Sequence, residues 1–381
     1  MPLPVPSPVA LAISQQLTQL IVADIETHGW IDFARYMQLA LYTPGLGYYS
    51  AGAAKFGLDG DFITAPELSP LFGYSLAQQV AQVLTISGGD VFEIGAGSGR
   101  LACDLLTVLA QQGCAPNQYY ILELSADLRQ RQQQLISQEL PGLASRVIWL
   151  DQLPLAFSGC IIANEVLDAL PVDVLHWRAT GIYQRGVSWD GQQLVWREQL
   201  LAAGHLRELA EALPVSADYL SEIGLTAQGL VQSLAQCLTS GAIIVIDYGF
   251  GEREYYHPQR DQGTIMCHYR QHAHSDPFYL PGLQDITAHV DFTAMTVAAL
   301  DAGLGLAGYT SQAQFLINCG ITEILSRTDT TDTVRYISQA SAVQKLLSPA
   351  EMGELFKVMV WTRGISAPLL GFVQGDQRRR L

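Results

Sequence analysis

The chain has 381 residues, long enough for one large domain or one domain with a sizeable insertion, and at 49% hydrophobic and 15% charged it favours a well-packed globular enzyme over a disordered or solvating protein. Its 36 acids and 21 Lys and Arg leave a formal net charge of -15, a balance that disfavours nucleic acid and anionic membrane and would suit a cationic partner such as an arginine-bearing protein, although net acidity is also common in soluble proteins. The six cysteines (Cys103, Cys114, Cys160, Cys237, Cys267, Cys319) form no C-x-x-C pair, so they read as reduced, buried thiols with no zinc or redox dithiol site.

The first 34 residues contain no Lys or Arg, so neither a secretory signal nor a transit peptide is expected. No apolar run reaches the ~18 residues of a membrane span. Cytoplasmic location without membrane insertion is the expectation. After Pro2, Pro4, Pro6 and Pro8, residues 11–28 carry helical periodicity closed by Gly29, and residues 33–41 continue as a second helix. An aromatic, turn-rich loop (Tyr42 to Tyr49) and a second loop (Gly60 to Glu67) precede a helix that runs to about Ile86.

From Asp90 strands and helices alternate, the pattern of a parallel sheet. The predicted strands are 90–94, 118–122, 146–150, 160–164 and 242–247, with helices at 100–112 and 126–138. The gap from about 171 to 240 exceeds one crossover helix. Its first half reads as an antiparallel meander (172–178, 182–187, 194–197) and its second half as helical, giving an α+β insertion that is not an independent domain. A polar, His-rich lid loop follows at about 250–291. A helix at 292–302, a strand at 304–309, two helices and a strand at 356–362 follow, with Arg378 to Arg380 as a frayed end. The domain expectation is an N-terminal extension over 1–88 that contributes to the site, and a catalytic domain over 89–370.

The most informative stretch is Glu93-Ile94-Gly95-Ala96-Gly97-Ser98-Gly99-Arg100. A strand ends in an acid and enters a glycine turn where a ligand can lie against bare backbone. The dinucleotide fingerprint needs a glycine where Arg100 stands, which disfavours a nicotinamide oxidoreductase. The pattern is similar to motif I of the class I S-adenosylmethionine methyltransferases, and Glu93 would suit the cationic end of that cofactor. Glu123, at the end of the second strand, either accepts the ribose hydroxyls or caps the next helix. Asp151, after the third strand, either contacts adenine or is a plain loop acid.

The segment from Asn164 to Pro171 follows the fourth strand, where substrate and cofactor meet in an open α/β sheet. Glu165 and Asp168, three apart, would share a face on one helical turn and grip a guanidinium by bidentate hydrogen bonds. The alternative is that Asp168 caps a helix and Glu165 is solvated. Asp247 and Tyr248 end a β-branched strand that opens onto the same cleft, and His289 sits in the lid. Asp61 and Thr64 offer polar groups to the cofactor, with Thr64 also placed to cap a helix. His268, His272, His274, His289, Asp285 and Asp291 match no zinc spacing, so no metal is expected.

Taken together, G-D-F-I-T-A-P-E (60–67), E-I-G-A-G-S-G (93–99), N-E-V-L-D-A-L-P (164–171), I-D-Y-G (246–249) and D-I-T-A-H-V-D-F (285–292) resemble the MidA-like family. That family includes the mitochondrial complex I assembly factor that is a protein arginine methyltransferase. The resemblance spans about 30–362. It implies a seven-stranded, Rossmann-like, mostly parallel α/β fold using S-adenosylmethionine, with Glu93, Gly95, Gly97, Gly99, Glu123, Asp151, Asn164, Asp61 and Thr64 on the cofactor. For the mitochondrial member it implies symmetric dimethylation of an arginine in a respiratory-complex subunit. Without a transit peptide the chain looks like a bacterial-type relative, and Ala96 stands where the family often has proline. A small-molecule methyltransferase and a non-catalytic assembly protein that keeps the cofactor are the alternatives.

Overall fold

The computed structural model describes residues 3–50, 64–329 and 331–381. Asp61 and the first half of the 60–67 motif lie outside them. The chain divides into two compact units, each assembled from three segments: residues 1–62, 167–229 and 250–291 form the first, and residues 63–166, 230–249 and 292–381 the second.

The first unit opens with α1 (Pro8–His28) and α2 (Phe33–Tyr42). Ser7 caps α1 through the Ala10 N–H, Pro8 occupies its first turn, and Gly29 closes it in the left-handed region. Asp32 caps α2 by accepting the Arg35 N–H at 2.7 Å. Contrary to the sequence reading, α1 is long and apolar enough to cross a membrane by length and composition. Its Leu17, Ile21 and Ile25 instead pack with Phe33, Tyr36 and Met37 of α2 against Val174 and Val187. Those valines belong to a five-stranded antiparallel sheet of Ile31–Asp32, Asp173–Arg178, Gly181–Trp189, Leu194–Leu200 and Tyr219–Ile223. The last of these strands lies in the half of the insertion expected to be helical. The His-rich loop also departs from expectation: Met266–Tyr269 pairs with both His272–His274 and Asp285–Thr287 in a small antiparallel sheet.

In the second unit, α3 (Ala65–Leu68) and α4 (Pro70–Ser87) precede β1 (Asp90–Ile94), α5 (Arg100–Gln111), β2 (Tyr119–Leu122), α6 (Ala126–Glu139), β3 (Val147–Leu150), β4 (Phe157–Asn164) and β5 (Leu238–Phe250). After Phe292–Asp301 come β6 (Gly305–Ser311), three helices rather than the two expected, and β7 (Phe356–Arg363). These seven strands form the main path of the sheet in the order β6-β7-β5-β4-β1-β2-β3. β7 is antiparallel to both neighbours and the other pairings are parallel. The sheet is covered on both faces, so β4 and β5 read as unbroken apolar runs, with Ile161, Ile162, Ile243 and Ile244 fully buried. α4, grouped with the N-terminal extension in the sequence reading, packs here: Leu76, Val80 and Val83 join Leu101, Leu105 and Leu109 of α5 in one core. The chain end is not frayed, since Arg378 pairs with Asp376 and donates to the Leu306 carbonyl.

Candidate cofactor and acceptor sites

In the second unit the sheet's carboxyl edge opens at the point where strand order reverses, between β1 and β4. β1 leaves at Ile94 into the glycine turn, where the Gly95 N–H donates to the Leu122 carbonyl at 3.0 Å and the Gly99 N–H to Ala96 at 2.8 Å. Gly97 and Gly99 have φ of 53° and 88°, a region costly for any side chain, and a Cβ on Gly99 would meet Gln132 at 3.2 Å. Arg100 opens α5 and its guanidinium takes both oxygens of Glu139, at 2.7 and 2.6 Å, while reaching Asp104 at 3.1 Å. A salt-bridged side chain thus stands where a dinucleotide site needs bare backbone. Burial pushes the Asp104 carboxyl up to about 7 despite that guanidinium. From α3, Glu67 accepts the Ser98 hydroxyl, and Ser98 accepts the Arg100 N–H.

Glu93 is buried beneath this turn, accepting the Tyr119 hydroxyl at 2.6 Å. Burial raises its carboxyl to about 7, against the lowering effect of that bond. Glu123 ends β2, accepting the Ser125 N–H at 2.9 Å and the Gln132 amide at 3.0 Å. The cap of α6 is Ser125 itself, which accepts the Leu128 N–H. Asp151 is exposed and pairs with Arg129 at 2.8 Å.

Asn164 and Glu165 leave β4 at the sheet edge. The Glu165 N–H continues the ladder to the Ile246 carbonyl at 2.9 Å, but its φ is 54°, so no helical turn starts there. Leu167 to Leu170 form a turn. The expected helical face shared by Glu165 and Asp168 is therefore absent, and the two acids fall in different units. Glu165 accepts from the Asn164 amide at 3.1 Å and from the Ala65 N–H at 3.4 Å, at the start of α3. Thr64 precedes that helix without a side-chain capping bond, unlike the cap expected. Asn164 Oδ1 is buried with no hydrogen-bond partner among the described residues. An acceptor withheld from the protein, beside a glycine turn, fits the α-ammonium end of S-adenosylmethionine. Asp247 is fully buried, holding the Val166 N–H at 3.2 Å and the Tyr248 N–H at 2.9 Å, so it clamps the segment after β4. The Tyr248 ring packs on Phe356.

In the first unit, Tyr42 and Tyr49 stack at 5.5 Å, Tyr42 donates to the Ala169 carbonyl, and Tyr49 donates to Asp285 at 2.9 Å. Burial, and then the charges of Asp285 and more weakly Asp168, hold the Tyr49 phenol well above its ordinary range. The Asp168 carbonyl accepts the Ala288 N–H. The His289 N–H donates to Thr264 Oγ1 at 3.0 Å, and its ring lies 5.3 Å from that of Phe250. The sequence reading missed two anchors. Tyr119 shares a sheet face with Glu93 through the β1–β2 register, a signal available from strand alternation. Glu222 is buried under Thr264, accepting its N–H and hydroxyl, and was hidden because its strand was read as helix.

Over residues 75–310 the chain matches the family described as "Putative S-adenosyl-L-methionine-dependent methyltransferase". A crystal structure from Burkholderia thailandensis bound to S-adenosyl-homocysteine has 49% identity, with all of both chains covered and a TM-score of 0.97. Among curated relatives, the Drosophila melanogaster protein arginine methyltransferase NDUFAF7 homolog, mitochondrial, is 29% identical over 93% of this chain and 88% of its own. The Homo sapiens protein arginine methyltransferase NDUFAF7, mitochondrial, is 27% identical over 87% of this chain and 80% of its own. The mitochondrial names of these relatives overturn the cytoplasmic placement drawn from the sequence. The match covers more than half of the chain, the strand order is that of the class I fold, and the chain belongs to this family of S-adenosylmethionine-dependent methyltransferases.

Proposed function

We propose that the chain transfers the methyl group of S-adenosylmethionine to an arginine of a protein partner. The observation that carries this reading is near full-length similarity to proteins named as arginine methyltransferases. When bound, the cofactor supplies an electrophilic methyl on a sulfonium. In this reading the glycine turn takes the amino-acid end of the cofactor, Glu123 the ribose and Asn164 the α-ammonium, with Glu93 a buried acid beneath them. Asp151 lies at the adenine end, and Thr64 and Asp61 serve the cofactor from the 60–67 segment.

Glu165 and Asp168 serve the acceptor. A guanidinium is protonated in water, so attack needs one nitrogen presented while carboxylates hold the positive charge on the others. Methyl transfer is a direct displacement, and alignment with charge stabilisation supplies most of the rate. Glu165 suits this task because its backbone is held in a sparsely populated region and its carboxylate is anchored by Asn164 and Ala65. Asp168 is accompanied by the stacked Tyr42 and Tyr49, and such ring faces favour a planar cation. Asp247 holds the segment after β4, Tyr248 stands beside it with its ring on Phe356, and His289 belongs to the lid. The test is methyl-tritiated S-adenosylmethionine in a lysate of a strain lacking this protein. Label in protein, rather than in the small-molecule fraction, is the expected result. A respiratory-complex subunit is the partner we propose to look for first.

A further inference from the structure

The structure assigns Gln132, on α6, as the positioning residue that ties the glycine turn to the ribose acid. Its side chain is fully buried. Its Nε2 donates to the Gly97 carbonyl at 2.9 Å and to Glu123 Oε2 at 3.0 Å, and its Oε1 accepts the Trp149 indole N–H at 2.8 Å. Both amide hydrogens face acceptors and the oxygen faces a donor, so the orientation of the carboxamide is fixed by its partners. One side chain therefore joins the ends of three adjacent parallel strands: the turn after β1, the acid after β2, and Trp149 within β3. Its Cγ also lies 3.2 Å from where a Gly99 Cβ would stand.

The second oxygen of Glu123 accepts the Ser125 N–H, so Gln132 and Ser125 hold the carboxylate from both sides. No other common side chain meets these demands. Glutamate would bring a second carboxylate against Glu123 and the Gly97 carbonyl. Methionine would fill the space but remove a hydrogen-bond partner from three half-buried polar groups, the Gly97 carbonyl, Glu123 Oε2 and the Trp149 indole N–H. Gln132 thus sets the direction in which Glu123 offers its acceptors, which gives it control over recognition of the ribose. This rests on the reading of Glu123 as the ribose acceptor.

The experiment measures the affinity of the folded protein for S-adenosylhomocysteine and for its 2′-deoxy analogue by calorimetry, in the wild type and in Glu123→Gln, Gln132→Met and Trp149→Phe. The wild type is expected to prefer the hydroxylated ligand by about tenfold or more, the range of a hydrogen bond to a charged group. Glu123→Gln and Gln132→Met should both reduce that preference to within about twofold. Trp149→Phe, which removes only the anchor of Oε1, should reduce it partly and serves as the readout if Gln132→Met does not fold. A residue with a merely structural role would weaken both ligands equally and leave the preference intact. Loss of the preference in Glu123→Gln with its full retention in Gln132→Met, or in Trp149→Phe where that variant is the readout, overturns the assignment. An unchanged preference in Glu123→Gln overturns the ribose reading on which the assignment stands.

Discussion

Glu93 shows how a single acid couples burial to pH. Its carboxyl is raised to about 7 in the folded protein, chiefly by burial. Between its ordinary value and that one, the native state binds the extra proton, so stability is greatest at low pH and falls as pH rises through 7. Asp104, at about 7, and Asp173, at about 6, act in the same direction. Glu93→Gln has no such ionisation, so urea unfolding at pH 5 and pH 8 should show the decline reduced by about 2 kcal/mol. An equal decline in the variant would remove Glu93 as a cause. For the turn, Gly97→Ala is best compared with Gly113→Ala. Both positions are left-handed, with φ of 53° and 71°, and a side chain at Gly113 meets open space. Both should lose about 1 kcal/mol of stability, but S-adenosylhomocysteine affinity should fall only for Gly97→Ala. Equal affinities would take the turn out of the site. For the acceptor acids, Glu165→Gln and Asp168→Asn should each slow single-turnover methylation about a hundredfold with little change in cofactor affinity. Parallel losses in rate and affinity would assign them to the cofactor instead. The types and positions of Glu93, Asn164 and Glu165 were legible because strand ends after apolar runs are easily found. Of their partners, Tyr119 was within reach of strand alternation, but the Ala65 N–H that Glu165 accepts lies 100 residues away in sequence and was not.

At the scale of elements, the parallel sheet was legible because its central strands, buried on both faces, are continuous apolar runs, and a glycine turn and the Ser125 cap mark where α5 and α6 begin. The misreadings fall where that logic fails. Tyr219–Ile223 is a short strand between two helices, and an acid within it, Glu222, obscures any alternation. The small sheet around Met266–Tyr269 buries Cys267 and Ile286 in the core, and the chain entering it at Thr264 is anchored by that buried acid. Glu222 accepts the Thr264 N–H and hydroxyl, and Thr264 in turn accepts the His289 N–H. Glu222→Leu removes these acceptors and should cost about 2–4 kcal/mol in urea unfolding, with accelerated amide exchange at Thr264. Glu222→Gln keeps an acceptor and should cost less. If leucine were tolerated as well as glutamine, the carboxylate would not be what orders the loop.

For the whole molecule, the division into two units was only partly legible, because three separate segments build each one and contiguity in sequence hides their grouping. The same limit explains α1: judged alone it has the length and composition of a span, and its buried stripe is visible only once α2 lies beside it. The net charge of -15 belongs to this scale. For the arginine-bearing acceptor proposed above it supplies long-range attraction, so KM for that acceptor should rise roughly threefold or more between low and physiological salt while kcat changes little. A salt-independent KM would speak for a neutral acceptor. Methyl transfer to a protein arginine is the step on which the proposed function stands. It is tested most directly by tandem mass spectrometry of proteins from a strain lacking this chain, after incubation with the purified protein and isotopically labelled S-adenosylmethionine. Labelled methyl groups are expected on an arginine guanidinium of a discrete protein, absent when Glu165→Gln replaces the wild type. Label confined to small molecules, or carried by other side chains, would contradict it.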